Sequence, residues 1–229
     1  MDFKDKYAFT KDENIRFARS NFAELIHTDA RFEGVNTTLP QTKTILAGMG
    51  VSGVSIDDIN VIIDLKRGWN FITSSKDALT LEYEQKINQV VAARDSLDPG
   101  NFREGEGSVY LGQGESFTPP DVDIKQERDF LLSTLSAQVS TTDKALTVLY
   151  HNMRNQIFWD GNKRTAMLTA NKIMIDGGAG LINVPLTKWE TWNELISAYY
   201  KSGDMTEIKL WTYQNGIKGL DARKNKQMH

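Results

Sequence analysis

The stretch Gln156-Ile157-Phe158-Trp159-Asp160-Gly161-Asn162-Lys163-Arg164-Thr165 decides how the rest of this chain is read, because it stands between two strongly patterned segments. Before it, Ala145, Leu149 and Met153 recur at i, i+4 and i+8; after it, Ala166, Ala170 and Met174 repeat that spacing until Gly177-Gly178. A tight turn therefore joins two core helices. Asp160-Gly161-Asn162 opens the second helix, where backbone N–H groups lack helical partners, and Gly161 lets the main chain come close to a ligand. The helix N-terminus carries roughly half a positive charge, Lys163 and Arg164 add full charges, and Asp160 offers a hard oxygen to a divalent cation. A metal-chelated polyphosphate would suit all four features. The same residues also read as an ordinary helix start with solvated charges, and the turn by itself leaves both readings open.

Outward from this turn, helical periodicity dominates. Thr10 with Glu13 makes a capping box, and Ile15, Ala18, Phe22 and Leu25 line one face, predicting one helix from Lys11 to His27. Thr38 with Gln41, and Pro40 in the first turn, open a short second helix ending near Gly48-Met49-Gly50. Ser55 with Asp58 caps a third, carrying Ile59, Ile62 and Ile63 inward and stopping before Gly68. A fourth is predicted from Ser75 to Ser96, closed by Pro99-Gly100. The Gly-rich segment 101–120 breaks the pattern, and Ser108-Val109-Tyr110-Leu111 before Gly112-Gln113-Gly114 reads as a small β-hairpin flap. Helices resume over 121–138, 142–156, 163–176, 187–201 and 204–216, and Asp221–His229 is a polar tail. The expectation is an all-α fold with one hairpin, a single domain over 1–229 divided into N-terminal helices (1–50), a core (51–218) and the tail (219–229).

Composition narrows the chemistry. The 229 residues carry Lys+Arg 27 against Asp+Glu 30, a net charge of -3, so no global basic field exists to hold nucleic acid or an anionic membrane. Cys is 0, which removes disulfides, thiolate zinc sites and cysteine nucleophiles, and His is only 3. Met1-Asp2-Phe3-Lys4-Asp5-Lys6 lacks an apolar leader, and no run approaches the roughly 20 apolar residues of a membrane span. A cytoplasmic protein is expected.

Phe158-x-Asp160-Gly161-Asn162-Lys163-Arg164-Thr165 resembles the signature of the Fic/Doc (Fido) family, usually His-Pro-Phe-x-Asp-Gly-Asn-Gly/Lys-Arg. Pro99-Gly100-Asn101-Phe102-Arg103 through Tyr110-Leu111-Gly112 to Phe117-Thr118-Pro119-Pro120 is similar to the Fic flap, and Ala198-Tyr199-Tyr200-Lys201-Ser202-Gly203-Asp204 to its closing helices. Phe32-Glu33-Gly34 followed by Thr38-Leu39-Pro40 resembles the inhibitory helix that precedes the core in some members. The resemblance implies a Fic-fold helical bundle, Mg²⁺ and ATP as cofactors, and transfer of AMP, or in Doc-like members phosphate, to a hydroxyl of a protein target. It implies that Asp160 holds Mg²⁺, that Asn162 and the amides of Gly161 and Lys163 bind phosphates, that Arg164 neutralises transition-state charge, that Phe158 anchors the loop, and that the flap at Ser108, Val109, Tyr110 and Leu111 docks the target by strand addition.

Two departures stand out. The family's proton-accepting histidine falls at Gln156, whose amide does not titrate near neutral pH, so transfer is expected to be weaker by about 10²- to 10⁴-fold. The alternative is a pseudo-transferase that binds nucleotide, or a partner through its flap, without chemistry. Met167 stands where inhibited members carry a second arginine, and Asp29 where Ser or Thr stands four residues before the inhibitory glutamate, so a regulatory Glu33 would lack its expected partner. His151 points away from Gln156 along its helix and is expected to be structural.

Overall fold

A computed structural model describes residues 3–112 and 114–220. Ten α-helices are present among the described residues: α1 (Lys11–Ser20), α2 (Phe22–Phe32), α3 (Leu39–Leu46), α4 (Ile56–Ser74), α5 (Leu81–Val91), α6 (Ile124–Ser136), α7 (Thr141–Asn155), α8 (Asn162–Asp176), α9 (Trp189–Ser202) and α10 (Thr206–Asn215). The hairpin is β1 (Val109–Gly112) against β2 (Glu115–Phe117), with Val109 opposite Phe117 and Tyr110 opposite Ser116. A second short antiparallel pair, β3 (Leu181–Ile182) with β4 (Ile217–Lys218), escaped the sequence reading because two residues per strand are too few for an alternation to show. The tail Asp221–His229 lies outside the described residues.

The capping boxes at Thr10–Glu13 and Thr38–Gln41 form as read, with the side chain and backbone of each pair exchanging hydrogen bonds. Three boundaries differ. The single helix expected over 11–27 breaks at Asn21, whose Nδ2 donates to Phe17 O at 2.8 Å, and resumes as α2 through to Phe32. The amide supplies a local alternative to the helical ladder, and hydrophobic spacing continues across the break. The helix expected from Ser75 starts later, at Leu81, because the side chain of Thr80 accepts from Tyr83 N–H and caps it there. It ends at Val91 rather than near Pro99.

The third difference is Gly68, which does not stop α4. It lies inside the helix at its crossing with α5 and α8, where an added Cβ would sit 2.5 Å from Leu168 Cδ1 and 2.6 Å from Val91 Cγ1. Here glycine permits close approach of helices rather than a turn. α8 is the centre of the molecule: it packs against α7, α5, α4 and α1, and every side chain from Arg164 to Ile175 is buried. Met167 is core, as its spacing implied, at 2% exposure. Trp69, Leu65, Ile62 and Leu168 form one side of the core, and Trp192, Tyr150, Tyr200 and Met174 the other.

Gly68→Ala tests this packing. Its helix-propensity gain of about 1 kcal/mol is outweighed by overpacking, typically 1–3 kcal/mol, so urea unfolding should show a net loss of about 1 kcal/mol; a gain in stability would show that the crossing has room.

Candidate active site

α7 and α8 run side by side, so their junction presents the motif turn at one end of the core. The turn begins at Gln156, the only non-glycine with positive φ among the described residues, at φ 48° and ψ 52°. This left-handed residue ends α7 and reverses the chain. Ile157 and Phe158 then turn inward, at 2% exposure each. Phe158 stacks on Phe102 with ring centres 5.6 Å apart, and one antiparallel bridge pairs the same two residues. The carboxamide of Asn162 closes the loop: Phe158 N–H donates to its Oδ1 at 2.9 Å, and its Nδ2 donates to Phe158 O at 2.8 Å. Both ends of the Asn162 side chain are therefore occupied by the loop itself.

Gly161 sits at φ 70°, where a Cβ would lie 2.7 Å from Ala92 Cβ, so only glycine lets the turn rest on the end of α5. As the N-cap of α8 it has no side chain to cap with, and the first-turn N–H groups remain open to an anion. Asp160 directs Oδ1 back to Gly161 N–H at 2.5 Å and to Arg164 Nη2 at 3.4 Å, and its side chain is 50% exposed. Lys163 is half-buried beside it.

Arg164 does not face solvent. Its side chain is 3% exposed; Nη1 donates to Val91 O at 2.5 Å and to Asp95 Oδ2 at 2.8 Å, and Nε lies 3.4 Å from Glu33 Oε2. Glu33 does lack the second arginine, position 167 being Met, and meets Arg164 instead. The contact is electrostatic rather than a hydrogen bond, since neither Arg164 Nε nor Glu33 Oε1 has a hydrogen-bond partner. Asp29 is buried and accepts from Trp69 Nε1 at 2.8 Å; burial pushes its carboxyl up to about 7, the Trp69 hydrogen bond opposes this, and the Glu33 charge adds to it.

Gln156 turns its side chain back onto its own helix, Nε2 donating to Met153 O at 2.5 Å. His151 meets Glu127 Oε2 at 2.7 Å, and Asn155 Nδ2 donates to Glu127 Oε1 at 2.6 Å, so this imidazole belongs to a structural network between α6 and α7. Glu84 of α5 accepts from Asn152 Nδ2 at 3.1 Å, while its Oε1 has no partner. Burial pushes Glu84 up to about 8; the Asn152 bond opposes the shift and the charge of Glu127 reinforces it. His27 lies within α2, its Nδ1 3.2 Å from Thr42 Oγ1.

Two residues that organise the site were not singled out in the sequence. Asn88, fully buried on α5, donates from Nδ2 to Asp160 O at 2.8 Å and Thr165 Oγ1 at 3.1 Å, and its Oδ1 accepts from Gly100 N–H at 2.9 Å. It joins α5, the motif turn, α8 and the start of the flap segment. Arg103 donates from its guanidinium to the carbonyls of Gln156, Gly105 and Pro120, so the base of the flap is tied to the turn. Only the Pro-Gly-x-x-Arg pattern hinted at the second, and nothing local hinted at the first. Ser108 and Tyr110 are exposed, and Val109 and Leu111 are partly buried in the flap. A cavity of about 750 Å³ opens between the flap and α9, lined by Leu111, Glu115, Trp189, Asn193, Ser197 and Lys201, with Lys201 and Glu115 ion-paired across it.

Residues 78–174, which hold α5, the flap, α7 and most of α8, match the Fic/DOC family model. Over that stretch the chain is similar to the Fic/DOC family. A curated relative, the protein adenylyltransferase Fic of Drosophila willistoni, is 28% identical over 177 residues, 74% of this chain and 35% of the relative. The chain thus spans about a third of the length of the curated relatives it matches. Among solved structures, a Fic domain-containing signalling protein from Bacteroides thetaiotaomicron superposes with a TM-score of 0.75 at 19% identity, covering 87% of this chain and 82% of that one. Fic-1 (residues 134–508) from C. elegans gives 0.74 at 20% identity, covering 86% and 60%. These superpositions establish the Fic fold, a helical bundle with a small hairpin. No helix among the described residues is long and apolar enough to cross a membrane.

Asn88→Ala should strand the Gly100 N–H and the Thr165 hydroxyl in the core, costing about 2–3 kcal/mol in urea unfolding; a loss below about 0.5 kcal/mol would show that water replaces the amide. Glu84 predicts a pH dependence. Between its ordinary value of 4.5 and about 8 the folded carboxyl keeps its proton while the unfolded one has lost it, so stability falls as pH rises through that window. Glu84→Gln should flatten the curve of Tm against pH there, Asp29 leaving a residual slope up to about 7; an unchanged curve would show that Glu84 ionises normally.

Proposed function

We propose that this chain is a Fic-type nucleotide-binding unit that holds Mg²⁺-ATP at the start of α8 and transfers AMP, or phosphate, slowly to a hydroxyl of a target protein. The single observation that carries the reading is the uncapped α8 N-terminus at Gly161, with Asp160, Lys163 and Arg164 around it. Relatives named protein adenylyltransferase support the reaction class. The whole chain is read as one Fic-like unit, and a cytoplasmic setting is part of the same proposal.

The amides of Asn162 and Lys163 and the ammonium of Lys163 bind phosphate oxygens, the Gly161 amide being held by Asp160 Oδ1. Asn162, clasped to Phe158, keeps the turn in the shape that presents them. Asp160 fits a divalent cation in chemistry and exposure, its second oxygen having no partner among the described residues; Mg²⁺ there would neutralise phosphate charge. Arg164 is preorganised for developing negative charge, but Glu33 and Asp95 compete with a phosphate for it. Glu33 is in this sense regulatory. The flap, at Ser108 to Leu111, holds an extended segment of the target along its edge.

In AMP transfer the target oxygen bonds to the α-phosphorus and pyrophosphate leaves; in phosphate transfer it bonds to the γ-phosphorus and ADP leaves. Either releases one proton from the hydroxyl. Gln156 cannot take it, and its amide faces Met153 O, so the proton goes to solvent and the step is slow. That orientation also favours the second reading, a pseudo-transferase that binds nucleotide or a partner without chemistry.

Incubation with Mg²⁺ and α- or γ-labelled ATP in cell lysate separates them. The expected result is micromolar-range calorimetric binding, weak protein labelling by wild type, and labelling increased about 10²- to 10⁴-fold in Gln156→His. Binding without any wild-type transfer would establish the pseudo-transferase, and no binding by either form would overturn both readings.

A further inference from the structure

Beside the motif turn, on the side of the flap base, a groove of about 420 Å³ is lined by the apolar Phe102, Val122, Ile124 and Trp159 and by polar side chains that include Asp98, Arg103 and Glu104. Its floor is a small apolar cluster in which Phe102 and Val122 pack on Leu81, Ile157 and Phe158. Two large apolar side chains on its walls stay in solvent, Ile124 at 43% and Trp159 at 37% exposure. Single exposed apolar residues are ordinary; these two line one concave surface and offer a partner an apolar anchor point.

Acidic side chains outnumber basic ones beside this groove, and the exposed Lys125 next to Ile124 is paired with Asp129. Residues 95–123 contain Asp95, Asp98, Glu104, Glu106, Glu115, Asp121 and Asp123, against Arg103 as the sole basic residue. Arg103 is buried at 4% exposure with its guanidinium turned to backbone carbonyls, so it presents no cation to a partner. Asp95 is answered by Arg164 and Glu115 by Lys201. Asp98, Glu104, Glu106, Asp121 and Asp123 form no ion pair among the described residues, and all five are exposed. A groove with both apolar and exposed acidic walls complements a segment with cationic side chains around an apolar anchor.

Position links the groove to the turn. Trp159 directly precedes Asp160, the Phe102–Phe158 bridge joins groove and turn, and Arg103-Glu104 lead into the flap. We propose that this groove docks the stretch of the target protein flanking the modified hydroxyl, and that the stretch carries lysine or arginine around an apolar residue that packs on Trp159 and Ile124. This rests on the transferase reading for the word target; the docking itself does not require nucleotide.

Fluorescence anisotropy without nucleotide tests it, using a labelled heptapeptide with lysines flanking a Leu-Thr-Phe centre and its glutamate counterpart. The lysine peptide should bind about ten-fold more tightly at low ionic strength, with the preference shrinking as salt screens the rim. Trp159→Ala and Glu104→Lys, both at exposed positions, should each weaken it several-fold, while the exposed control Val139→Ser, away from the groove, should not. Equal binding of the two peptides, or a preference untouched by either variant, would overturn the proposal. So would a concentration-dependent dimer in sedimentation that Trp159→Ala dissolves, because a second copy would then cover the groove. Peptide binding with no label transferred from ATP to any protein would sink the transferase reading alone, whereas equal labelling of acidic and basic substrates would sink the docking proposal alone.

Discussion

α8 is enclosed on all sides, and the rest of the structure follows from accommodating it. A helix whose side chains from Arg164 to Ile175 are all buried must be met by partners that come close, which is why α4 carries Gly68 where it crosses and why small residues Ala166 and Ala170 recur along α8. Even Lys172, fully buried, is accommodated by Asp176 at 3.0 Å and Ser75 O at 3.3 Å. The first turn of α8 has no freedom to wander, because the helix behind it has none. The enclosed helix thus holds its uncapped start in a fixed position.

Around this start, polar groups divide into those that build the loop and those left for a ligand. Asn162, Asn88 and Arg103 build: Asn162 closes the turn onto Phe158, Asn88 and Arg103 join segments distant in the chain, and each side chain has its hydrogen-bonding groups engaged. The first-turn amides, Lys163 and the second oxygen of Asp160 are left. Arg164 stands between, its charge already balanced by Asp95, Asp160 and Glu33. Gln156 belongs with the builders, as a left-handed helix cap whose amide is turned to its own helix. The first turn of α8 is thus left open while its arginine is balanced by carboxylates, and the two features meet at one helix start.

Much of this was legible in the sequence, and the misses have physical causes. The hairpin at Val109–Phe117, the helices flanking the motif and the capping boxes at Thr10 and Thr38 were readable because each rests on residues two to four apart. Gly68 was misread as a stop because a glycine that ends a helix and one that admits a neighbouring helix look alike in sequence. Asn21 broke a helix whose hydrophobic spacing ran through it, since a side chain competing for the backbone leaves no mark on periodicity. The absence of a second arginine at Met167 suggested a partnerless Glu33; only the approach of α2 to α8 showed that Arg164 fills the place.

The sequence by itself determined that the chain is a helical bundle with a hairpin, that Asp160-Gly161-Asn162-Lys163-Arg164 opens a helix, and that position 156 holds a glutamine rather than an imidazole. These are matters of residue identity and local spacing, which the linear order contains. Only the tertiary structure decided that Arg164 is surrounded by carboxylates, that Asn88 ties the turn to α5, and that the flap base and Trp159 share an acid-rimmed groove. Those pairings join residues tens of positions apart, and it is the burial of apolar surface around α8, not any local preference, that brings them within hydrogen-bonding reach.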